Sequence, residues 1–361
     1  MSNQIAVLGA GYVGLTTAAC LTTLQHTVAC ADIDADRVAR LQKGEVPILE
    51  EGLDDLVREG LSSGLLTFTT DVPAAVAGAE FVYLCVPTPQ GADGSADLSY
   101  IEAAAEQVSE HLQPDSVVIN KSTVPVGSTL VVGEALGRGD VHVVSNPEFL
   151  REGSAVHDFL HPDRVVIGAD DQAAAIRVAA LYVGLAAPLM VTDPASAELI
   201  KYASNAFLAT KVSFVNAIAA LCEVVGADVN DVVLGMGYDK RIGHEFFRPG
   251  PGWGGSCFPK DTRALVHIAE GAGYDFDLLR GVIAVNEEQF VRVVDRVSML
   301  TGGLKGVKVA VWGVTFKART DDVRDSPAVS IMRRLVDQGA IVRAHDPAVS
   351  ETLSGLPEVE L

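Results

Sequence analysis

The sequence predicts an α/β chain in three parts: an N-terminal domain, a central all-α domain and the start of a second α/β domain. Three observations predict it. The apolar run Ile5–Leu8 is followed by a glycine turn and a helical pattern through about Leu24. From Asp193 the pattern changes to an apolar, alanine-rich helix that runs to about Val225. At Val307–Val314 a second strand, turn and helix sequence begins. Domain boundaries are expected at 1–192, 193–300 and 301–361.

Ile5–Leu8 suits a buried parallel strand, and Gly9-Ala10-Gly11-Tyr12-Val13-Gly14 follows it. Gly9 permits a tight turn, Gly11 lets a pyrophosphate approach the backbone, and Gly14 lets the helix pack closely on the strand. A second apolar strand, Val28–Ala31, ends at Asp32, where a carboxylate would bind both hydroxyls of an adenosine ribose and repel a 2′-phosphate. The unit is therefore expected to be Rossmann-like and to bind NAD. The alternation continues through Phe81–Val86, Val117–Asn120 and Val141–Val144. In such a doubly wound sheet, ligands bind beyond the carboxyl ends of the strands. That edge holds Pro87-Thr88-Pro89, Lys121-Ser122-Thr123-Val124-Pro125 and the loop Ser145–Gly153, with Glu148 and Glu152 four residues apart.

Asp193 as N-cap and Pro194 as first residue start the long helix, and Gly226 ends it. At 1.5 Å per residue it would run ~50 Å, enough to bridge two domains. Lys201 and Asn205 lie four apart on one face. On the helix alone, a lysine whose ammonium reaches water is the simpler reading of Lys201. Further helices are expected at Val229–Met236, Thr262–Glu270 and Leu279–Leu300.

Among them sits Gly250-Pro251-Gly252-Trp253-Gly254-Gly255-Ser256-Cys257-Phe258-Pro259-Lys260-Asp261. Its glycines and prolines fix an irregular backbone able to approach a ligand closely. Pro259 belongs to the first turn of the next helix, which puts Cys257 at a helix N-terminus. There the dipole and unpaired N–H groups favour a thiolate, the nucleophilic form of the thiol. The ordinary alternative is a small buried apolar residue. Asp261 follows one helical turn later.

Composition bounds the class. Formal net charge is −20, from 27 basic and 47 acidic side chains, so the overall field repels polyanions and nucleic-acid binding is not expected. No uninterrupted apolar run approaches the roughly 18 residues of a membrane span. Cys20, Cys30, Cys85, Cys222 and Cys257 form no CxxC pair, which argues against a zinc site or disulfide framework and fits a reducing, cytoplasmic setting.

Taken together, Gly9–Gly14, Lys121–Pro125, Asn146-Pro147-Glu148-Phe149-Leu150, the Lys201/Asn205 helix, Gly254–Asp261 and Phe316-Lys317 resemble the UDP-glucose/GDP-mannose dehydrogenase family over nearly the whole chain. The Gly254–Asp261 loop and Arg241-Ile242-Gly243 are similar to the branch that acts on UDP-glucose. The resemblance implies oxidation of UDP-glucose with two NAD⁺ and water to UDP-glucuronate and two NADH, in a homodimer paired through the long helix. It implies a covalent intermediate on Cys257, oxyanion stabilisation by Lys201 and Asn205, and water activation by Asp261 with Thr123 and Glu148, among which the base of the first step stays open. For NAD it implies Gly9, Gly11, Tyr12, Val13, Gly14, Asp32, Arg37, Pro87, Thr88, Ser122, Thr123, Glu152 and Arg324. For the sugar nucleotide it implies Glu148, Phe149, Leu150, Arg151, Lys201, Asn205, Arg241, Phe246, Arg248, Gly252, Gly254 and Lys317, with Arg241 supplied by a neighbouring subunit. No metal is expected. Other nucleotide-sugar dehydrogenases, a two-electron hydroxy-acid dehydrogenase and a non-catalytic nucleotide-sugar binder are the alternatives. After Val307 the chain offers two strands and one helix before Leu361, so by strand count the last domain is expected to be truncated and to bind the sugar nucleotide weakly.

Overall fold

The computed structural model describes residues 2–91, 96–349, 352–353 and 355–361. Its contacts divide the chain into two compact units, Met1–Lys201 and Tyr202–Leu361.

The first unit alternates strands and helices: β1 (Gln4–Leu8), α1 (Tyr12–Thr23), β2 (Thr27–Ala31), α2 (Ala35–Leu41), α3 (Leu53–Ser63), β3 (Leu66–Thr69), α4 (Val72–Val76), β4 (Phe81–Leu84), α5 (Ser99–Ser109), β5 (Val117–Asn120), α6 (Ser128–Leu136), β6 (His142–Ser145), α7 (Ala155–Leu160), β7 (Val165–Gly168), α8 (Gln172–Ala180) and β8 (Leu189–Thr192). The strands form one eight-stranded sheet in the order β3-β2-β1-β4-β5-β6-β7-β8. Neighbours are parallel except β6 and β7, so the last two strands run against the first six. Strand period explains the layers. Ile5 and Val7 pack with α1 and α3 on one face, while Ala6 and Leu8 pack with α4, α5 and α6 on the other. The order reverses between β1 and β4, which puts the switch-point crevice at their carboxyl ends, where Gly9, Cys85 and the loop after β5 lie. Strands β3, β7 and β8 extend the sheet beyond those read from the sequence.

The expected long helix is α9 (Pro194–Val225), whose first turn is capped by Asp193 accepting from Ser196 N at 2.8 Å. By length and composition α9 is apolar enough to cross a membrane; 28 % of its most apolar stretch is buried inside the protein, and the helix also carries buried polar side chains such as Glu198, Lys201 and Asn205.

In the second unit α9 is followed by α10 (Val229–Gly237), α11 (Phe258–Gly271), α12 (Asp277–Thr301), β9 (Lys308–Trp312), α13 (Pro327–Asp337) and β10 (Ile341–His345), with β9 and β10 parallel. Two cores form. Tyr202, Ala206 and Ala209 of α9 pack on Trp253, Leu265, Leu279 and Val282. Phe290 and Val294 of α12 pack on Ile331, Met332, Leu335, Val342, Ala344, Leu353, Leu356 and Val359.

That second core corrects the expectation of a truncated last domain. Counting two strands and one helix overlooked two sources of burial: the C-terminal half of α12, and Leu353, Leu356 and Val359. Ala344 N also donates to Glu360 O at 2.8 Å, so the last residues add a short parallel bridge beside β10.

Candidate functional site

The first unit gathers the dinucleotide residues at the carboxyl edge of its sheet. Gly9 takes φ +97° and donates to Ala31 O at 2.7 Å, and Ala10 N donates to Asp32 Oδ2 at 2.6 Å. Arg37 stands beside Asp32, with Nη1 3.2 Å from Oδ2. A Cβ built on Gly11 meets nothing within 4 Å, and no side chain caps the N-terminus of α1. That open backbone suits a pyrophosphate, so these residues fit NAD. Val13 and Gly14 belong to the first turn of α1. Ser122 Oγ donates to Val86 O at 2.7 Å and Thr88 Oγ1 donates to Thr123 O at 2.9 Å, which ties the loop after β4, with Pro87, to the loop after β5.

Lys201 does not reach water. It is buried, and its Nζ lies 2.7 Å from Glu148 Oε1. Burial alone would push the Glu148 carboxyl up. The Lys201 ammonium, the Leu150 N–H at 2.6 Å and the nearby Lys121 outweigh burial and hold it below its ordinary range. Lys121, also buried, donates to Asn146 Oδ1 at 3.1 Å. The Phe149 ring carries Arg164 at 3.6 Å and Lys201 at 5.5 Å from its centroid. Arg151 is gripped by Asp158 through backbone N (2.9 Å), Nε (3.0 Å) and Nη2 (2.5 Å). Glu152 sits half-buried in the same loop.

Three residues before Lys201, Glu198 is buried and accepts from Gly127 N (2.6 Å), Thr129 N (2.9 Å) and Thr129 Oγ1 (2.7 Å). It caps α6 and fixes the end of the loop bearing Thr123. Burial pushes its carboxyl above the ordinary range despite those bonds.

In the second unit Cys257 is the N-cap of α11, with Pro259 in its first turn, as the sequence predicts. It is half-buried, whereas the other four cysteines are buried. Burial drives the thiols of Cys20 and Cys85 up to about 12, so they stay protonated at neutral pH. Asp261 N closes the first helical turn on Cys257 O at 2.8 Å. The Asp261 side chain is buried, accepts from Asn205 Nδ2 at 2.6 Å, and has Lys260 Nζ 2.9 Å from its other oxygen. A buried carboxyl group fixed by an amide donor on one oxygen can orient a polar reactant.

The glycine loop is fixed at both ends. Asn216 Oδ1 accepts from Gly250 N at 2.8 Å, and Asn286 exchanges two bonds with the Trp253 backbone at 2.8 and 3.0 Å. Gly252 lies between these anchors. Gly254 and Gly255 are required by close approach: a Cβ on the first would stand 2.0 Å from Asp325 O, and on the second 2.7 Å from the Phe316 ring. Phe246 packs 6.4 Å from Phe258, ring to ring. Lys317 Nζ lies 5.5 Å from the Phe316 ring. Arg248 is exposed. Arg241 and Arg324 hold Asp239 and Asp322 in their own turns, each at 2.6 Å.

Sequence reasoning named Lys121 and Lys260 only as members of motifs, with no role of their own, and did not reach Glu198, Glu50 or Asp158. Glu198 lies one turn before Lys201 on α9 and Lys260 adjoins Asp261, signals that pattern reading can use. Glu50 and Asp158 lie in no motif.

Comparison with known proteins agrees along the chain. Residues 3–186 match the NAD binding domain of the UDP-glucose/GDP-mannose dehydrogenase family, 195–288 its central domain and 310–359 its UDP binding domain. The last match overturns the reading of residues 301–361 as a truncated remnant. The UDP-glucose 6-dehydrogenase TuaD of Bacillus subtilis is 47 % identical over 99 % of this chain and 78 % of its own length. A UDP-glucose 6-dehydrogenase of Rhizobium meliloti is 46 % identical over 98 % and 84 %. Among solved structures, a UDP-glucose dehydrogenase from Pyrobaculum islandicum superposes with a TM-score of 0.94 at 43 % identity, covering 96 % of this chain and 82 % of that one. With its motifs, fold and relatives in agreement, the chain belongs to the UDP-glucose/GDP-mannose dehydrogenase family.

Proposed function

We propose that the protein oxidises UDP-glucose to UDP-glucuronate with two NAD⁺ and one water, through a covalent intermediate on Cys257. The observation that carries the reading is Cys257 at the N-terminus of α11, with the buried Asp261–Asn205 pair one turn on. NAD, held by the glycine turn and Asp32, would supply the hydride acceptor for each of two oxidations, a fresh NAD⁺ serving the second. After the first, the thiolate of Cys257 adds to the C6 aldehyde and gives a thiohemiacetal. After the second, the carbon is a thioester, which water cleaves to the carboxylate and the free thiol. Lys201 and Asn205 stabilise the oxyanions, and Glu148, 2.7 Å from Lys201 Nζ, positions the ammonium in its buried site. Asp261, with Thr123 and Glu148, orients and deprotonates water. UDP-glucose as substrate is supported by the names of the relatives. Arg241, Phe246, Arg248, Gly252, Gly254 and Lys317 are the residues assigned to the nucleotide sugar in the second unit, and Phe149, Leu150 and Arg151 in the first. Arg324 and Glu152 are assigned to NAD.

The working protein is a soluble, cytoplasmic homodimer in this reading. Phe207, Phe214, Leu221 and Val225 repeat along α9 at roughly heptad spacing and are 63 %, 47 %, 55 % and 65 % exposed, a stripe suited to a second copy of the helix. Stoichiometry tests the chemistry: each UDP-glucose should yield two NADH, with GDP-mannose and UDP-N-acetylmannosamine giving little turnover. Cys257→Ser should stall at an ester while retaining NAD binding. Full turnover by that variant would exclude the covalent route.

A further inference from the structure

The loop that follows β6 is held by carboxylates at successive backbone N–H groups. Glu148 takes Leu150 N and Asp158 takes Arg151 N, both from nearby in sequence. The third carboxylate comes from far away. Glu50, in the connection between α2 and α3, is 7 % exposed. Its Oε1 accepts from Ala155 N at 2.7 Å, and its Oε2 accepts from Gly153 N at 2.7 Å and from the Tyr12 hydroxyl. Gly153 N also lies 2.9 Å from the Tyr12 oxygen. Its neighbour Glu51 is exposed. Among the described residues Glu50 makes no ion pair, and its oxygens are held by N–H and O–H donors. Burial, then the bond to Glu50, push the Tyr12 hydroxyl well above its ordinary range, so it stays a donor.

Tyr12 belongs to the glycine turn assigned to the pyrophosphate, whereas Gly153 and Ala155 follow Glu148–Glu152, the loop assigned to the nucleotide sugar. One carboxylate therefore fastens both loops. We infer that Glu50 is a positioning residue that couples the two loops, so that occupancy of the cofactor turn orders the nucleotide-sugar loop and the reverse. Reciprocity is required: whatever factor one ligand adds to the affinity of the other is returned. The inference rests on the functional reading above, since it needs those two loops to bind those two ligands.

Calorimetry on the 361-residue protein tests it with NADH and UDP-glucuronate, a pair that does not turn over. In the unaltered protein, saturating UDP-glucuronate should tighten NADH by about fivefold, the lower end of ordinary coupling. Glu50→Gln keeps one good acceptor and loses the other, and the ratio should fall below about twofold. A role confined to stability would lower the melting temperature and weaken both ligands while leaving the ratio intact. If Glu50→Gln does not fold, Tyr12→Phe reads the same link, because it removes the hydroxyl and leaves the Gly153 and Ala155 bonds in place. A ratio in the variants equal to that of the unaltered protein, or no coupling in the unaltered protein, overturns the inference while the functional reading stands. No binding of UDP-glucuronate at all would overturn that reading and the coupling with it.

Discussion

The β1–β2 pair and the β9–β10 pair carry the same turn. Gly9 N donates to Ala31 O at 2.7 Å and Gly313 N to His345 O at 2.9 Å. Ala10 N donates to Asp32 Oδ2 at 2.6 Å, and Val314 N to Asp346 Oδ2 at 2.8 Å. The other oxygen of each aspartate takes the N–H two residues on, Asp34 at 2.9 Å and Ala348 at 3.0 Å. Both glycines sit in the left-handed region, at φ +97° and +87°. Their surroundings differ. Helix α1 begins at Tyr12, directly after the first turn, so its N-terminal N–H groups can meet a pyrophosphate. After Gly313 the chain runs to Pro327 before α13 begins, and the intervening loop serves the cysteine loop: Gly255 N donates to Arg324 O at 3.1 Å. The same backbone device thus leads into an uncapped helix N-terminus in one place and into a supporting loop in the other. A local turn does not define a ligand; the element that the turn leads into does.

Gly9→Ala against Gly313→Ala should give the largest contrast. A Cβ at Gly9 would stand 2.6 Å from Cys85 O, whereas one at Gly313 meets nothing within 4 Å. The positive φ costs each variant about 1–3 kcal/mol. Only Gly9→Ala adds the clash, so its NADH affinity should fall by a further factor on the order of 100, as about 3 kcal/mol implies. Equal NADH affinities by fluorescence titration would break the comparison.

Strand burial comes next. Leu8 is 4 % exposed and Trp312, at the matching position, 89 %. Leu8→Ala should cost about 2–5 kcal/mol in denaturant unfolding. Trp312→Ala should stay within about 0.5 kcal/mol. A larger loss at Trp312 would mean that this face is covered in solution.

The aspartates sharpen the contrast further. Asp32→Ala should narrow the preference for NAD over NADP, by about tenfold in kcat/KM for each 1.4 kcal/mol of repulsion removed. Asp346→Ala should leave that preference unchanged and destabilise the second unit instead. Burial would raise the Asp346 carboxyl, but N–H bonds from Ala348, Val314 and Thr315 overcome it and hold the group below its ordinary range. A depressed folded value gives stability that is present above the ordinary carboxylate range and lost as pH falls through the folded value. Asp346→Ala should therefore flatten the acid limb of the stability curve. An unchanged limb would remove Asp346 from that role.

The smallest effect concerns the support loop. Asp322→Asn weakens an ion pair whose Arg324 end is exposed and should change stability by less than about 1 kcal/mol, measured by melting. A loss of several kcal/mol would show the pair to be a principal anchor of the loop that meets Gly255.

The sequence by itself determined the strand, glycine turn and helix unit, the span of α9, and Cys257 at the head of α11. Each arises from chemistry within a few residues: hydrophobic period, turn glycines, a proline in the first helical turn. Tertiary structure decided where charges are buried. Lys201 reads as a lysine reaching water until Glu148, 53 residues away, supplies the opposite charge that makes its burial tolerable. Glu50 and Glu198 are passed over in the sequence, and their roles emerge only where distant backbone N–H groups converge on them. Two strands after residue 307 read as a remnant until α12 and Leu353, Leu356 and Val359 close a core around them. The reason is physical: burying a charge or an apolar face costs free energy that only a partner remote in sequence offsets, and spacing along the chain does not specify which partner the fold brings.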